Sequence, residues 1–176
     1  MNRMRKVLIA DDEVKVGQLV KRLIQWDRLG LTCIGLVTDG QTAYEKILSE
    51  SPDIVITDIR MPVLTGLEMI QKASEQGVKC HFIVVSGYKY FDYAQKALKY
   101  GVEDYLLKPI DEDELNRQLQ KIVAEEEQRE DKQQQVDQIE KKLEDSKYLR
   151  HKEFLRKILS QKQENIDAAN TEFGLQ

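Results

Sequence analysis

Five short apolar runs, separated by stretches of helical spacing, constrain this chain more than any other feature. VLIA (7–10), CIGLV (33–37), IVIT (54–57), FIVV (82–85) and YLL (105–107) each have the length and texture of a strand covered on both faces. Between them, apolar residues recur at i, i+3, i+4 and i+7. Val16, Leu19, Val20 and Leu23 form one such set, and Ala43, Ile47 and Leu48 a second. Leu67, Ile70 and Ala73 form a third, and Tyr90, Tyr93, Ala94 and Ala97 a fourth. Strands alternating with amphipathic helices predict right-handed crossovers and an α/β parallel sheet clad on both sides.

After Pro109 the texture changes. DEDELNRQLQKIV opens with four acids, which suit a helix N-terminus, and sets Leu115, Leu119 and Ile122 on one face, so it reads as a fifth helix packed on the sheet. AEEEQREDKQQQ is almost free of apolar residues yet has no Gly or Pro to stop a helix. Beyond it Val136, Ile139 and Leu143 keep heptad spacing, and Tyr148, Leu155, Ile158 and Leu159 continue in a shifted frame, enough for a short coiled coil. Residues 1–110 carry 15 Lys+Arg against 14 Asp+Glu, whereas 111–150 carry 8 against 13, so a near-neutral globule feeds an acidic arm. The expected division is a compact domain over 1–123, a helical linker over 124–165 and a frayed tail over 166–176.

A net charge of only −4 makes no electrostatic case for direct binding of nucleic acid or an anionic membrane. No apolar run reaches the roughly 20 residues that span a bilayer, and MNRMRK leads straight into a strand, so a cytoplasmic protein is expected. Cys33 and Cys80 have no partner at metal or disulfide spacing and read as ordinary buried thiols. Trp26, His81 and His151 read as packing or surface residues.

In a parallel sheet, ligands gather beyond the carboxyl ends of the strands. The first strand ends in Asp11 and Asp12, the third in Asp58, the fourth in Ser86 and the fifth in Lys108. Oxygen donors without His or Cys suit a hard cation, Mg²⁺ above all. A lysine and a hydroxyl beside them suit a phosphoryl group, and an aspartate can take that group covalently.

The motifs VLIADDE, PDIVITDIRMP, VVSG and DYLLKP, in this order and spacing, resemble the receiver domain of bacterial two-component response regulators over residues 1 to about 123. The resemblance implies a flavodoxin-like, doubly wound five-stranded parallel sheet with a C-terminal helical extension. It implies that Asp58 is the phosphoacceptor for a sensor histidine kinase. Asp11, Asp12, Asp58 and the backbone carbonyl of Arg60 would hold Mg²⁺, Ser86 and Lys108 would contact the phosphoryl oxygens, and Tyr105 would be the aromatic switch. In the family the Lys-Pro bond is usually cis. Such a chain is no enzyme beyond its own aspartyl phosphorylation and dephosphorylation.

IQWDRLGLT and SGYKYFDYAQKALKYGVEDYLLKPIDEDEL resemble the YesN-like subgroup, which carries an AraC-type DNA-binding output after a linker worded like LRHKEFLRKILS. The expected behaviour is a switch of the arm and of a homodimer through the fourth and fifth helices, controlling transcription. Two alternatives differ in class. A Mg²⁺-dependent phosphohydrolase would need a second acid two positions after Asp58, where Arg60 stands; a constitutive dimerisation scaffold would ignore phosphorylation.

Overall fold

A computed structural model describes the backbone of residues 3–87 and 102–172, and the side chains among them except those of Glu103, Asp104 and 158–172. The chain divides into two units, Met1–Glu125 and Glu126–Gln176.

The first unit holds five parallel strands: β1 (Arg5–Ala10), β2 (Leu31–Val37), β3 (Ile54–Asp58), β4 (His81–Ser86) and β5 (Val102–Leu107). Their order is β2-β1-β3-β4-β5, the doubly wound flavodoxin-like order. The helices are α1 (Val14–Leu23), the short α2 (Trp26–Leu29), α3 (Gly40–Glu50), α4 (Gly66–Glu75) and α5 (Glu112–Glu172). The fourth amphipathic stretch, Tyr90 to Ala97, lies outside the described residues.

Side chains alternate across the sheet as a two-residue period requires. Val7, Ile9, Ile54, Ile56, Ile83 and Val85 pack with Val20, Leu115, Leu119 and Ile122. Leu8, Ala10, Val55, Phe82 and Val84 pack on the other face with Ala43, Ile47, Met69 and Ile70. Each large aliphatic side chain removed from water contributes roughly 2 kcal/mol. The stripe of α5 is thus the expected one, with Leu115 and Leu119 fully buried.

Two details differ from the spacing. Leu19 and Leu48 are 45% and 47% exposed, because α1 turns Gly17 and Val20 inward and α3 turns Gly40, Ala43 and Ile47. β2 is only partly covered along Thr32 to Leu36, as an edge strand with one neighbour.

The helix starts are written in short side chains. Asp39 accepts from the Thr42 N–H at 2.8 Å, and this bond, with a second from the Thr42 hydroxyl, holds its carboxyl below the usual range. Thr65 and Glu68 form a reciprocal capping box on α4, and Asp111 caps α5 by accepting from Glu114 N–H at 2.8 Å.

In the second unit α5 continues to Glu172, seven residues into the stretch expected to fray, with neither Gly nor Pro to break it. Val136, Ile139 and Leu143 are all exposed. No helix among the described residues is long and apolar enough to cross a membrane.

Candidate functional site

The strand order reverses between β1 and β3, and the crevice at such a reversal opens beyond their carboxyl ends. Ala10 pairs with Thr57, so Asp11, just past the end of β1, and Asp58, the last residue of β3, come to the same edge. Asp58 pairs in turn with Val85, and Ser86 with Leu107, which brings Ser86 and Lys108 to the same edge. The N–H of Lys108 donates to the Ser86 carbonyl at 3.0 Å.

Lys108 is the hub of the charges gathered there. Its ammonium lies 3.0 Å from Asp11 Oδ2 and 3.5 Å from Asp58 Oδ2, the second a charge contact rather than a good hydrogen bond. The remaining oxygens are also engaged. Asp58 Oδ1 accepts from the Ile59 N–H at 2.7 Å, and Asp11 Oδ1 from the Glu13 N–H at 2.9 Å. Asp11 therefore both faces the lysine and steadies the entry to α1, where Glu13 itself makes no side-chain cap.

Burial pushes the Asp58 carboxyl above its usual range, with Asp11 and Asp12 adding to the effect, although Lys108 and the Ile59 N–H pull the other way. For Lys108 burial acts to lower the pKa, but the hydrogen bond to Asp11 and the charges of Asp58, Asp11 and Glu13 outweigh it and hold the ammonium above its ordinary value. The site thus carries more negative charge than one lysine neutralises.

A carboxylate oxygen from each of Asp11, Asp12 and Asp58 lies within 4.8 Å of the others, and Asp12 is exposed while its two neighbours are buried. Three oxygen donors around one open point, with no nitrogen or sulfur, fit a hard metal ion that keeps some of its water.

Residues 7–120 match the family model of the response regulator receiver domain. The chain belongs to the response regulator receiver family. Among its relatives, the uncharacterized transcriptional regulatory protein YesN of Bacillus subtilis is 46% identical over 122 residues, which is 69% of this chain and 33% of that protein. The transcriptional regulatory protein HptR of Staphylococcus aureus is 35% identical over 120 residues, 68% of this chain and 47% of that one. The chain therefore spans between a third and a half of these relatives. The REC domain of AraT, a response regulator from Geobacillus stearothermophilus, superimposes with a TM-score of 0.68 at 36% identity, covering 72% of this chain and 98% of that one.

The receiver site thus gathers Asp11, Asp12, Asp58 and Lys108 directly, and Ser86 by its backbone. Ser86 is fully buried. Tyr105 stands one row back on β5, in line with Val84 and Thr57 and partly buried against the α3 and α4 face. Arg60 is exposed in the loop leaving β3, and Lys108-Pro109 is cis. Trp26 is half-buried and donates to the Lys21 carbonyl at 2.8 Å, His81 is buried and His151 exposed. Cys33 and Cys80 are both partly buried, and burial pushes the Cys80 thiol up to about 12, which keeps it protonated at neutral pH.

Spacing did not reveal Thr57, whose buried hydroxyl donates to the Asp58 carbonyl at 2.9 Å. Nor did it reveal Val63, 84% exposed, whose φ of 69° is strained for a β-branched residue and whose turn is closed by Leu64 N–H on the Pro62 carbonyl at 2.8 Å. Val63→Gly will therefore raise stability by about 1 kcal/mol, the strain relieved less the entropy a glycine adds to the unfolded chain, as read from urea denaturation midpoints.

Proposed function

We propose that Asp58 accepts a phosphoryl group from the phosphohistidine of a sensor kinase, and that the resulting charge switches the surface through which the protein assembles. What supports the reading is the convergence of Asp58 with Lys108 at 3.5 Å and with Asp11 and Asp12 within 4.8 Å at the carboxyl edge. A carboxylate oxygen of Asp58 attacks phosphorus, the P–N bond breaks, the imidazole leaves with the electron pair, and an acyl phosphate remains. Lys108 is already charged and faces the oxygen that reacts, so it can follow the new negative charge without a proton transfer. Ser86, fixed to Lys108 through the backbone, offers its hydroxyl to a second phosphoryl oxygen.

Asp11, Asp12, Asp58 and the carbonyl of Arg60 would hold Mg²⁺, which when bound neutralises charge on the transferring group. The acyl phosphate carries a charge of roughly −2 where the carboxylate carried one negative charge, and it brings new acceptor oxygens. Ser86 and Lys108 close on it, Tyr105 turns into the space vacated, and α5 presents a changed face. The homodimer forms there and along the arm, where Val136, Ile139 and Leu143 lie uncovered. In a full-length protein built like its transcriptional relatives, an AraC-type domain would carry the change to DNA. The phosphorylated state decays by the chain's own hydrolysis.

Beryllofluoride with Mg²⁺ tests this switch. Wild type is expected to move toward dimer in sedimentation, and Asp58→Ala to stay put. An equal response of the two, or none in wild type, would sink the reading.

A further inference from the structure

We infer that Gly40 and Gly66 are positioning residues for the phosphoacceptor, a reading that rests on the function proposed for Asp58. Both are buried, and they open α3 and α4 respectively. Between Asp58 and Gly66 runs the segment that carries the acceptor at one end, the Arg60 carbonyl beside it and the strained turn at Val63. This segment is held against both helix starts. The Gly66 N–H donates to the Ile59 carbonyl at 2.9 Å, and the Gly40 N–H to the Pro62 carbonyl at 3.4 Å.

The approach at these points is closer than any side chain permits. A β-carbon at residue 66 would overlap the carbonyl oxygen of Asp58, and would stand 3.1 Å from its carbonyl carbon and 3.0 Å from Thr57 Oγ1. A β-carbon at residue 40 would overlap the carbonyl oxygen of Leu64 and stand 2.6 Å from its carbonyl carbon. The obstructing atoms are backbone, so they cannot rotate aside as a side chain can. Alanine at 66 must push on the peptide that leaves Asp58, the same peptide whose Ile59 N–H holds Asp58 Oδ1 at 2.7 Å. Alanine at 40 must push on the loop from its far side, from a helix that contributes nothing to the carboxylate cluster.

Gly17 supplies the contrast. The nearest atoms to a β-carbon there belong to the Leu36 side chain, with Cδ1 at 3.0 Å, and that side chain can yield. Gly17 lies in the same packed unit, so its substitution tests a change of packing that does not move the acceptor.

The test uses the whole chain with Gly40→Ala, Gly66→Ala and Gly17→Ala. It measures denaturant stability, Mg²⁺ affinity by calorimetry, the rate of labelling by acetyl phosphate and the NMR position of the Ile59 amide. At a temperature where all are folded, Gly40→Ala and Gly66→Ala are expected to weaken Mg²⁺ binding and slow labelling by about tenfold, the order of loss that a small misplacement of reacting groups produces. Their Ile59 amide should move. Gly17→Ala should keep wild-type affinity, rate and Ile59 position, whichever way its stability moves. Should Gly40→Ala alone fail to fold, the same change in a Val63→Gly background, where the turn can give way, carries the same expectation. Variants at 40 and 66 that lose only stability would overturn the inference and leave the reading of Asp58 standing. A wild type that neither binds Mg²⁺ nor takes label would instead overturn that reading.

Discussion

Asp58→Ala will lose phosphoryl acceptance by on the order of a thousandfold or more, because no other group at the site can replace the nucleophile. Asp11 is occupied by Lys108 and by the Glu13 N–H, Asp12 is exposed, and the Ser86 hydroxyl has no carboxylate's charge with which to form an acyl phosphate. The loss is specific to chemistry rather than to folding. Burial and the charges of Asp11 and Asp12 raise the Asp58 pKa, so the ionised group is held at a cost in the folded state. Its contribution has the reverse of the usual carboxylate sign: without metal, the cost of holding Asp58 ionised is relieved as pH falls through the raised folded pKa toward the unfolded value of 3.8. Asp58→Asn should therefore be at least as stable as wild type at neutral pH while taking no label. A variant that unfolds, or that labels at the wild-type rate, would contradict this.

Lys108→Met will cost about 2 kcal/mol in the presence of a chelator, less than a fully buried pair because the lysine side chain keeps some contact with water. The change leaves Asp11 and Asp58 facing each other with no cation between them. Mg²⁺ should then stabilise the variant more than wild type, since the ion replaces the missing charge. The pH dependence follows from the raised pKa of Lys108. Its contribution is complete below the unfolded value of 10.5 and is lost only as pH climbs through the higher folded value. The stability gap between wild type and variant should be level around neutrality and shrink in strong alkali. Denaturant melts across that range check both statements, and equal stability of the two proteins without metal would contradict the first.

The strands were legible because continuous apolar runs bounded by helical periods have few other uses. The site was legible for a related reason: a parallel sheet brings all its strand ends to one edge, so Asp11, Asp12, Asp58, Ser86 and Lys108 could be placed together without knowing a single distance. Finer facts depended on contacts that spacing cannot encode. The period put Leu19 beside Val20 and Leu48 beside Ile47, but only the packed sheet decides which of each pair turns inward. β2 reads like an interior strand, since an edge is a property of the order of strands rather than of their composition. Gly40 and Gly66 stand among ordinary helix residues in the sequence, and their meaning appears only when the carbonyls of Leu64 and Asp58 lie against them. The turn at Val63 is still less visible, because nothing in PVLTG demands a positive φ at a valine.

Mass spectrometry of the intact chain after incubation with acetyl phosphate and Mg²⁺, followed by peptide mapping, tests the central claim most directly. The expected result is one phosphoryl group per chain, labile to alkali as an acyl phosphate is, on the peptide containing Asp58. A chain that gains no label, or that carries its label on Ser86 or elsewhere, would contradict it.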